Sequence, residues 1–534
     1  MSLNDGWWKL LTICITLNCC LFGQQASNPQ QEINELRSQL AEQQRQIEKL
    51  QEAVRQQQSL IDRTAARLEG SPAPSSQPGQ APSEVARATA PLTPSPAPQS
   101  RPAVSRASGG ESPLSFGIGG AQFTPLGFMD FFSITRSTNV GSGIGTTFNT
   151  IPFSNTVAGN NPETRFSAQN SRIGLRVDSE YKGFHILGYV ESDFLGNAPS
   201  NLFVTSNSDT LRMRLYWADI KKNQFEFMAG QSWSLLTPNR RSTSPLPADL
   251  FITQDVDTNY QVGLVWARQT GARFTWNPNK NVSWAFAVED PEQFIGSAVT
   301  LPAALKDTYT SQFSNGTATS TPNLAPDVMT KIAFDGRPRG HAAHLEIGAM
   351  MSSFRVYNQS LDRHFSTVGG GGLVNVNFEV AKNLRVFSNN YFSSGGGRYI
   401  FSLGPDLVVR PDGSIATIRS GSTVDGFEYS PTPKWALYGY YGAAYYGRGQ
   451  YLDTDGKTLI GYGVDGGTLS ANRTIQETTF GIQNNFWKNP QYGALTLAFQ
   501  YSYVTRSPWS ITDPTLPSNA NMHMGYANIR YTLP

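Results

Sequence analysis

Asn170-Ser171-Arg172-Ile173-Gly174-Leu175-Arg176-Val177-Asp178-Ser179-Glu180-Tyr181 reads as two interleaved sequences. Ile173, Leu175, Val177 and Tyr181 share one parity, and Arg172, Arg176, Asp178 and Glu180 share the other. Side chains of a strand alternate between its faces, so such a segment has one apolar and one charged side. Leu211, Met213, Leu215 and Trp217 against Arg212, Arg214 and Tyr216 repeat the pattern. Leu495, Leu497, Phe499, Tyr501 and Tyr503 against Thr496, Gln500 and Ser502 repeat it again. An apolar sheet face this extensive would aggregate in water. In a bilayer it is the required outer band. A charged row on the lipid side would cost about 2–4 kcal/mol per Arg near the midplane, so the charged rows line a wet interior.

Working outward, about sixteen such segments follow between Ala121 and Pro534, with long spacers after odd-numbered strands and short ones after even-numbered strands. Lys182-Gly183, Lys221-Lys222-Asn223 and Ala381-Lys382-Asn383 are short spacers of this kind. The rhythm predicts an all-β transmembrane barrel, antiparallel, with tight turns on one rim and large loops on the other. A closed barrel leaves no edge, as a bilayer requires. Strands are expected over 165–181, 210–220, 260–276, 341–356 and 373–380, with 357–372 as a loop and Gly369–Gly372 at its end. Trp276, Trp435, Tyr445, Tyr446, Trp487, Tyr492 and Trp509 gather near strand ends, as interfacial girdles do.

The N-terminal portion is different. Residues 1–23 read as a signal peptide, with Lys9 before the apolar run Leu10–Leu17. The cysteines Cys14, Cys19 and Cys20 all lie there, which leaves the mature chain without disulfides or thiolate chemistry. Residues 24–69 contain a heptad with Ile33, Leu40, Ile47, Val54, Ile61 and Leu68 at a, and Leu36, Gln43, Leu50, Gln57 and Thr64 at d. This predicts an α-helical coiled coil about 54 Å long at 1.5 Å rise per residue. Residues 70–113 are rich in Pro, Ser and Ala and form an extended linker. The barrel domain occupies 114–534.

Composition excludes several function classes. Charged residues make up 15% of the chain and the net charge is +2, against a nucleic-acid partner. Mean hydropathy is −0.34, too polar for a bundle of membrane helices. His341 and His344 on one strand would face opposite sides and cannot share an ion, so no metal is expected. The glycine runs lack the helix that a phosphate loop needs. No catalytic nucleophile is marked and no cofactor is implied, so the chain is not read as an enzyme.

The interior candidates are Arg172, Arg176, Arg212, Arg214 and Arg273, with Asp178, Glu180, Glu191 and Asp193 among them. Arg240 and Arg241 lie on the third long loop, which can fold inward and narrow a pore. Two readings stand: a positive ladder that attracts small anions, or an Arg–carboxylate network that braces the wall.

Asn170-Ser171-Arg172-Ile173-Gly174-Leu175-Arg176 resembles the S-R-[LI]-G-[LF] signature of the DcaP-like outer-membrane porins. Leu211–Arg214 followed by Ala229-Gly230-Gln231-Ser232-Trp233-Ser234, and Ala267–Trp276, resemble that family's following strands. In the last segment Gly-Ala partly replaces Pro-Gln. The similarity covers about 121–534, and the family's N-terminal coiled coil is matched by 33–68. The resemblance implies a homotrimer of sixteen-stranded barrels in the outer membrane with the stalk in the periplasm. It also implies passive uptake of small anionic, dicarboxylate-like solutes, with Arg172, Arg176, Arg212, Arg214 and Arg273 in the constriction. One departure is the ending Tyr531-Thr532-Leu533-Pro534, where such barrels commonly end on an aromatic residue. The coil's place offers a contact with the cell wall. An alternative function follows from it: a structural anchor whose stalk tethers or spaces the envelope.

Overall fold

The computed structural model describes residues 112–196, 209–252, 254–315, 321–401, 404–465, 470–511, 515 and 517–534. The expected leader, coiled coil and nearly all of the linker lie outside the described residues.

The main sheet contains eighteen hydrogen-bonded segments, of which Phe116–Ile118 and Glu163–Ser167 pair only with the first long strand. The other sixteen close a barrel. In chain order they begin with β1 (Ala121–Arg136), β2 (Arg172–Tyr181), β3 (Phe184–Asp193) and β4 (Arg212–Lys222). Next come β5 (Phe225–Trp233), β6 (Arg268–Asn279), β7 (Val282–Glu289) and β8 (Asp327–Gly336). The second half continues with β9 (Ala343–Asn358), β10 (Arg363–Ala381), β11 (Leu384–Ser394) and β12 (Arg419–Thr432). It ends with β13 (Trp435–Tyr446), β14 (Asn472–Asn489), β15 (Gly493–Pro508) and β16 (Ala520–Thr532). Each pairs antiparallel with its neighbour, and β1 closes on β16 through Phe128↔Thr532 to Arg136↔Met524. The even number makes this closure antiparallel and edge-free.

The two faces separate as the alternation requires. Ile173 on β2, Phe227 on β5, Phe274 on β6 and Phe499 on β15 are exposed outward, while Arg172, Arg273 and Gln500 turn inward. Trp276, Trp435 and Trp487 stand exposed near the short-turn rim. Tyr446 departs from the expected girdle: it is fully buried on the inner face of β13.

Four further expectations change. On β4 the predicted faces hold only as far as Arg214. Glu191 pairs with Leu215 and Ser192 with Met213, so Arg214 is an extra residue in a β-bulge. Parity inverts beyond it: Leu215 (0% exposed) and Trp217 (5%) face inward, and Tyr216 (39%) faces outward. The segment 165–181 is two strands, Glu163–Ser167 and β2, both laid on β1. The expected strand 260–276 begins only at Arg268; 260–267 is the end of an inserted loop. The spacer after β9 shrinks to 359–362, because β10 runs through the glycines 369–372. A Cβ at Gly371 would stand 2.7 Å from the Phe392 carbonyl oxygen. Glycine there permits close strand packing, which reads in sequence as a loop.

Candidate functional site: the arginine-lined lumen

The long loops fill the long-loop half of the barrel. Phe148 and Ile151 from the loop after β1, Leu236 and Val262 from 234–267, and Tyr399 and Ile400 from the loop after β11 are all fully buried. They pack in one cluster with the inward wall residues Phe132, Ile134, Ile475 and Val504. Burying these side chains supplies the free energy that folds the loops into the barrel.

Loop 234–267 spans the lumen and is fixed at each contact. Lys331 on β8, 1% exposed, donates to Thr237 O (2.9 Å) and Asn239 Oδ1 (2.7 Å) and pairs with Glu346 (3.0 Å). Asn239 N–H donates to Glu346 Oε1 at 3.2 Å, and Ser242 N–H to Asp335 Oδ2 at 2.9 Å. His344 sits between those carboxylates, 2.9 Å from Asp335 and 3.3 Å from Glu346. On the far wall, Val262 N–H donates to Glu477 Oε2 at 2.8 Å. Gly442 permits that approach, since a Cβ there would collide with the Val262 carbonyl. Asp257 accepts from the Tyr526 hydroxyl (2.6 Å) and the Thr146 hydroxyl (2.5 Å).

The predicted arginines fall into four situations. Arg172, Arg212 and Arg214 meet on the β2–β4 wall. Arg214 Nε donates to Glu191 at 2.8 Å and its Nη1 to Asp193 at 2.7 Å. Arg212 binds Asp193 through two nitrogens, at 3.0 and 2.7 Å. Arg172 stands 3.6 Å from Glu191 and donates to the Tyr260 hydroxyl at 3.4 Å. Arg176 lies apart, held by Asp178 at 2.7 and 2.8 Å. Arg240 and Arg273 belong to the loop anchorage. Arg240 takes Glu428 and Leu250 O, and Arg273, 4% exposed, donates to Thr243 O and Trp233 O. Arg241 is exposed on the loop.

Two arginines outside the predicted set complete the constellation. Arg268, at the start of β6, faces the Trp233 ring at 5.9 Å, and Arg214 faces the same ring at 5.8 Å. Arg530 on β16 lies 4.0 Å from the Phe128 ring, which also carries Arg172 at 5.2 Å. Aromatic faces thus hold guanidiniums that would otherwise repel. Arg530 pairs with Asp130 at 2.9 Å. The carboxylates bound within the remaining cluster are Glu191 and Asp193, against Arg172, Arg212, Arg214 and Arg268. The wall therefore keeps an excess of positive charge. Arg172 Nε, Arg214 Nη2, Arg268 Nη1 and Arg530 Nε are buried donors that meet no protein acceptor. Sequence reasoning missed both: Arg268 has the opposite parity to Arg273 within the expected strand 260–276, whereas Arg530, which alternates with Ile529 and Tyr531, was legible from the same period.

Of these groups, Arg172 and Arg530 reach a cavity of about 50 Å³ between wall and loop, lined also by Trp233, Tyr260, Asp255 and Asp257. Arginines stand on its wall side and the loop carboxylates on the other. A small anion entering there meets guanidinium donors without removing any protein acceptor from them.

No family model and no curated protein matches the chain by sequence. Solved structures do match by shape. The outer membrane channel DcaP of Acinetobacter baumannii is 17% identical over 77% of this chain and 97% of that one, with a TM-score of 0.55. An anion-selective porin from Comamonas acidovorans is 10% identical over 77% and 99%, with a TM-score of 0.43. OprB of Pseudomonas putida is 12% identical over 76% and 94%, with a TM-score of 0.41. Wall, strand count and closure make the chain a sixteen-stranded antiparallel barrel, with the fold of the outer membrane channel DcaP.

Proposed function

We propose that the chain is an outer-membrane porin through which small, preferentially anionic, dicarboxylate-like solutes diffuse passively. The observation that carries this is the charge imbalance on the β2–β6 wall: Arg172, Arg212, Arg214 and Arg268 face two carboxylates. A fixed positive excess in a narrow, low-dielectric passage concentrates anions and excludes cations. The loop-filled outer half limits passage to small solutes. Residues 1–23 serve as leader, 24–69 as a periplasmic coil and 70–113 as its tether to a trimeric barrel. The test is the reversal potential across a salt gradient in planar bilayers, with and without a C4 dicarboxylate. Arg212→Ala with Arg214→Ala should lower anion preference. Unchanged selectivity would leave the arginines as bracing alone.

A second reading is favoured by the packed loop core: a closed barrel that anchors the coiled-coil stalk. Absence of conductance steps from folded, membrane-inserted protein would decide for it.

A further inference from the structure

Resting on the membrane reading, we infer that the short-turn rim is a basic collar that binds the phosphodiester headgroups of anionic phospholipids in the leaflet on that side. From Ser112 onward the chain has ten lysines, and seven of them stand in a short turn or within two residues of one. Lys182 lies between β2 and β3, Lys221 and Lys222 before β5, and Lys280 between β6 and β7. Lys382, Lys434 and Lys488 mark the turns before β11, β13 and β15. The remaining short turn, between β8 and β9, carries Arg337 and Arg339 instead. None of the seven turns contains Asp or Glu. The other three lysines lie elsewhere: Lys331 inside the barrel, Lys306 and Lys457 on long loops.

The rim cations are exposed. Among the described residues only Lys221 of them has a carboxylate partner, Glu226 at 4.0 Å. The acids nearby do not offset the rest. Glu180 and Glu226 take the inward parity of β2 and β5, opposite to Tyr181 and Phe225. Glu379 accepts from the Ala342 and Asn383 N–H groups at 3.1 and 3.2 Å. Adjacent short turns are two strands apart, roughly 10 Å, which is close to the Debye length of about 10 Å at 0.1 M salt. Neighbouring turns therefore present one positive field rather than isolated charges.

The depth of the collar selects the occupant. Lys222 Nζ lies 4.1 Å from the centroid of the Phe184 ring, and Lys182 Nζ lies 5.2 Å from that of Tyr181. Those rings are exposed on the outer wall, together with Phe225 and Trp276. They form a continuous row through the pairs Tyr181↔Phe184, Lys222↔Phe225 and Phe225↔Trp276. Aromatic belts sit at headgroup level. Amines laid over their rings stand at the depth of the lipid phosphates, with their stems along apolar surface. Anionic headgroups attract lysines at such a surface, and zwitterionic ones do not.

The test uses the full chain reconstituted in phosphatidylcholine vesicles, with dibrominated phosphatidylglycerol or dibrominated phosphatidylcholine as quencher. Trp276, Trp435 and Trp487, exposed near this rim, report which lipid lies beside it. The wild type is expected to favour phosphatidylglycerol by about fivefold or more, and to fall near parity at about 1 M salt, where the Debye length is about 3 Å. Lys182→Gln with Lys222→Gln and Lys280→Gln should lose most of the preference. Lys306→Gln with Lys457→Gln should keep it. No preference in the wild type, or one that neither salt nor the triple variant diminishes, overturns the collar; if the triple variant does not fold, the salt series decides. Retention on purified peptidoglycan without phosphatidylglycerol preference assigns the lysines to the cell wall and overturns the lipid site. A folded chain that does not enter vesicles overturns the membrane reading, and the collar with it.

Discussion

Arg240, on the loop that crosses the lumen, and Glu428, on β12 of the opposite wall, form a two-point ion pair: Nη1 to Oε2 at 2.8 Å and Nη2 to Oε1 at 2.9 Å. The guanidinium also lies 4.6 Å from the Phe251 ring. The Tyr440 hydroxyl donates to the same carboxylate at 3.1 Å. Removing one partner from a buried pair leaves the other uncompensated, which costs about 3–5 kcal/mol. Glu428→Ala is therefore expected to lower the thermal stability of the folded barrel. It should also raise current noise, because the loop loses a wall anchor. Arg240→Lys should show a milder form of both, since lysine cannot bind two oxygens in parallel. A Glu428→Ala barrel with unchanged melting and quiet current would mean that other contacts hold the loop alone.

Arg268 and Arg214 are expected to behave differently despite facing the same Trp233 ring. Arg214 holds Glu191 and Asp193. Arg214→Ala removes the partner that Glu191 and Asp193 share, leaving Glu191 to the more distant Arg172 and Asp193 to Arg212, and should reduce stability as well as anion preference. Among the described residues Arg268 forms no ion pair, and one of its buried nitrogens has no protein acceptor, so Arg268→Gln should lower anion preference and leave stability near that of the wild type. Paired measurements of reversal potential and urea unfolding in vesicles check this. Equal stability losses for the two would contradict the distinction.

The bulge at Arg214 predicts opposite outcomes for adjacent aromatics. Trp217 is 5% exposed inside the barrel and stacks on Tyr189 with centroids 5.3 Å apart. Trp217→Ala should cost about 3–5 kcal/mol, as for a large buried side chain. Tyr216 faces outward at 39% exposure, and Tyr216→Leu should be close to neutral in lipid. Uninterrupted alternation along β4 would give the reverse order.

Asp255, on the inserted loop, accepts from Gln500 Nε2 and from the Asp257 N–H, each at 2.9 Å. Burial, and then the charge of Asp257, push its carboxyl well above the usual carboxylate range. A raised folded-state pKa stabilises fully below the unfolded value, and that stabilisation is lost as pH rises through the folded value. Rising pH should therefore loosen the loop where Asp255, Asp257 and Glu477 face one another. Bilayer recordings are expected to show gating noise that grows with pH in the wild type and flattens in Asp255→Asn. An identical pH profile for both would remove Asp255 from the account.

Much of the wall was legible in sequence because strand alternation is local. Ile173 and Arg172 take opposite faces for reasons contained in a few residues, and β15 follows its predicted parity to the rim. The sixteen strands and their short turns follow from the same period and from Gly, Asn and Lys at the turns. Where a local signal was ambiguous the reading erred. Gly369–Gly372 resembles a loop and is a strand, and Val262, Leu264 and Trp266 resemble a strand and are loop core.

Sequence by itself determined that one side of each strand faces an apolar surround and the other a polar interior, since that property belongs to neighbouring residues. Tertiary structure alone decided which arginines keep free donors. Arg273 is spent on the Thr243 and Trp233 carbonyls and Arg240 on Glu428, while Arg268 and Arg214 meet at the ring of Trp233, and Arg172 reaches the cavity that ring also lines. The reason is distance along the chain: an ion pair such as Arg240–Glu428 joins residues 188 positions apart. No periodicity encodes which carboxylate a folded loop will bring to a guanidinium.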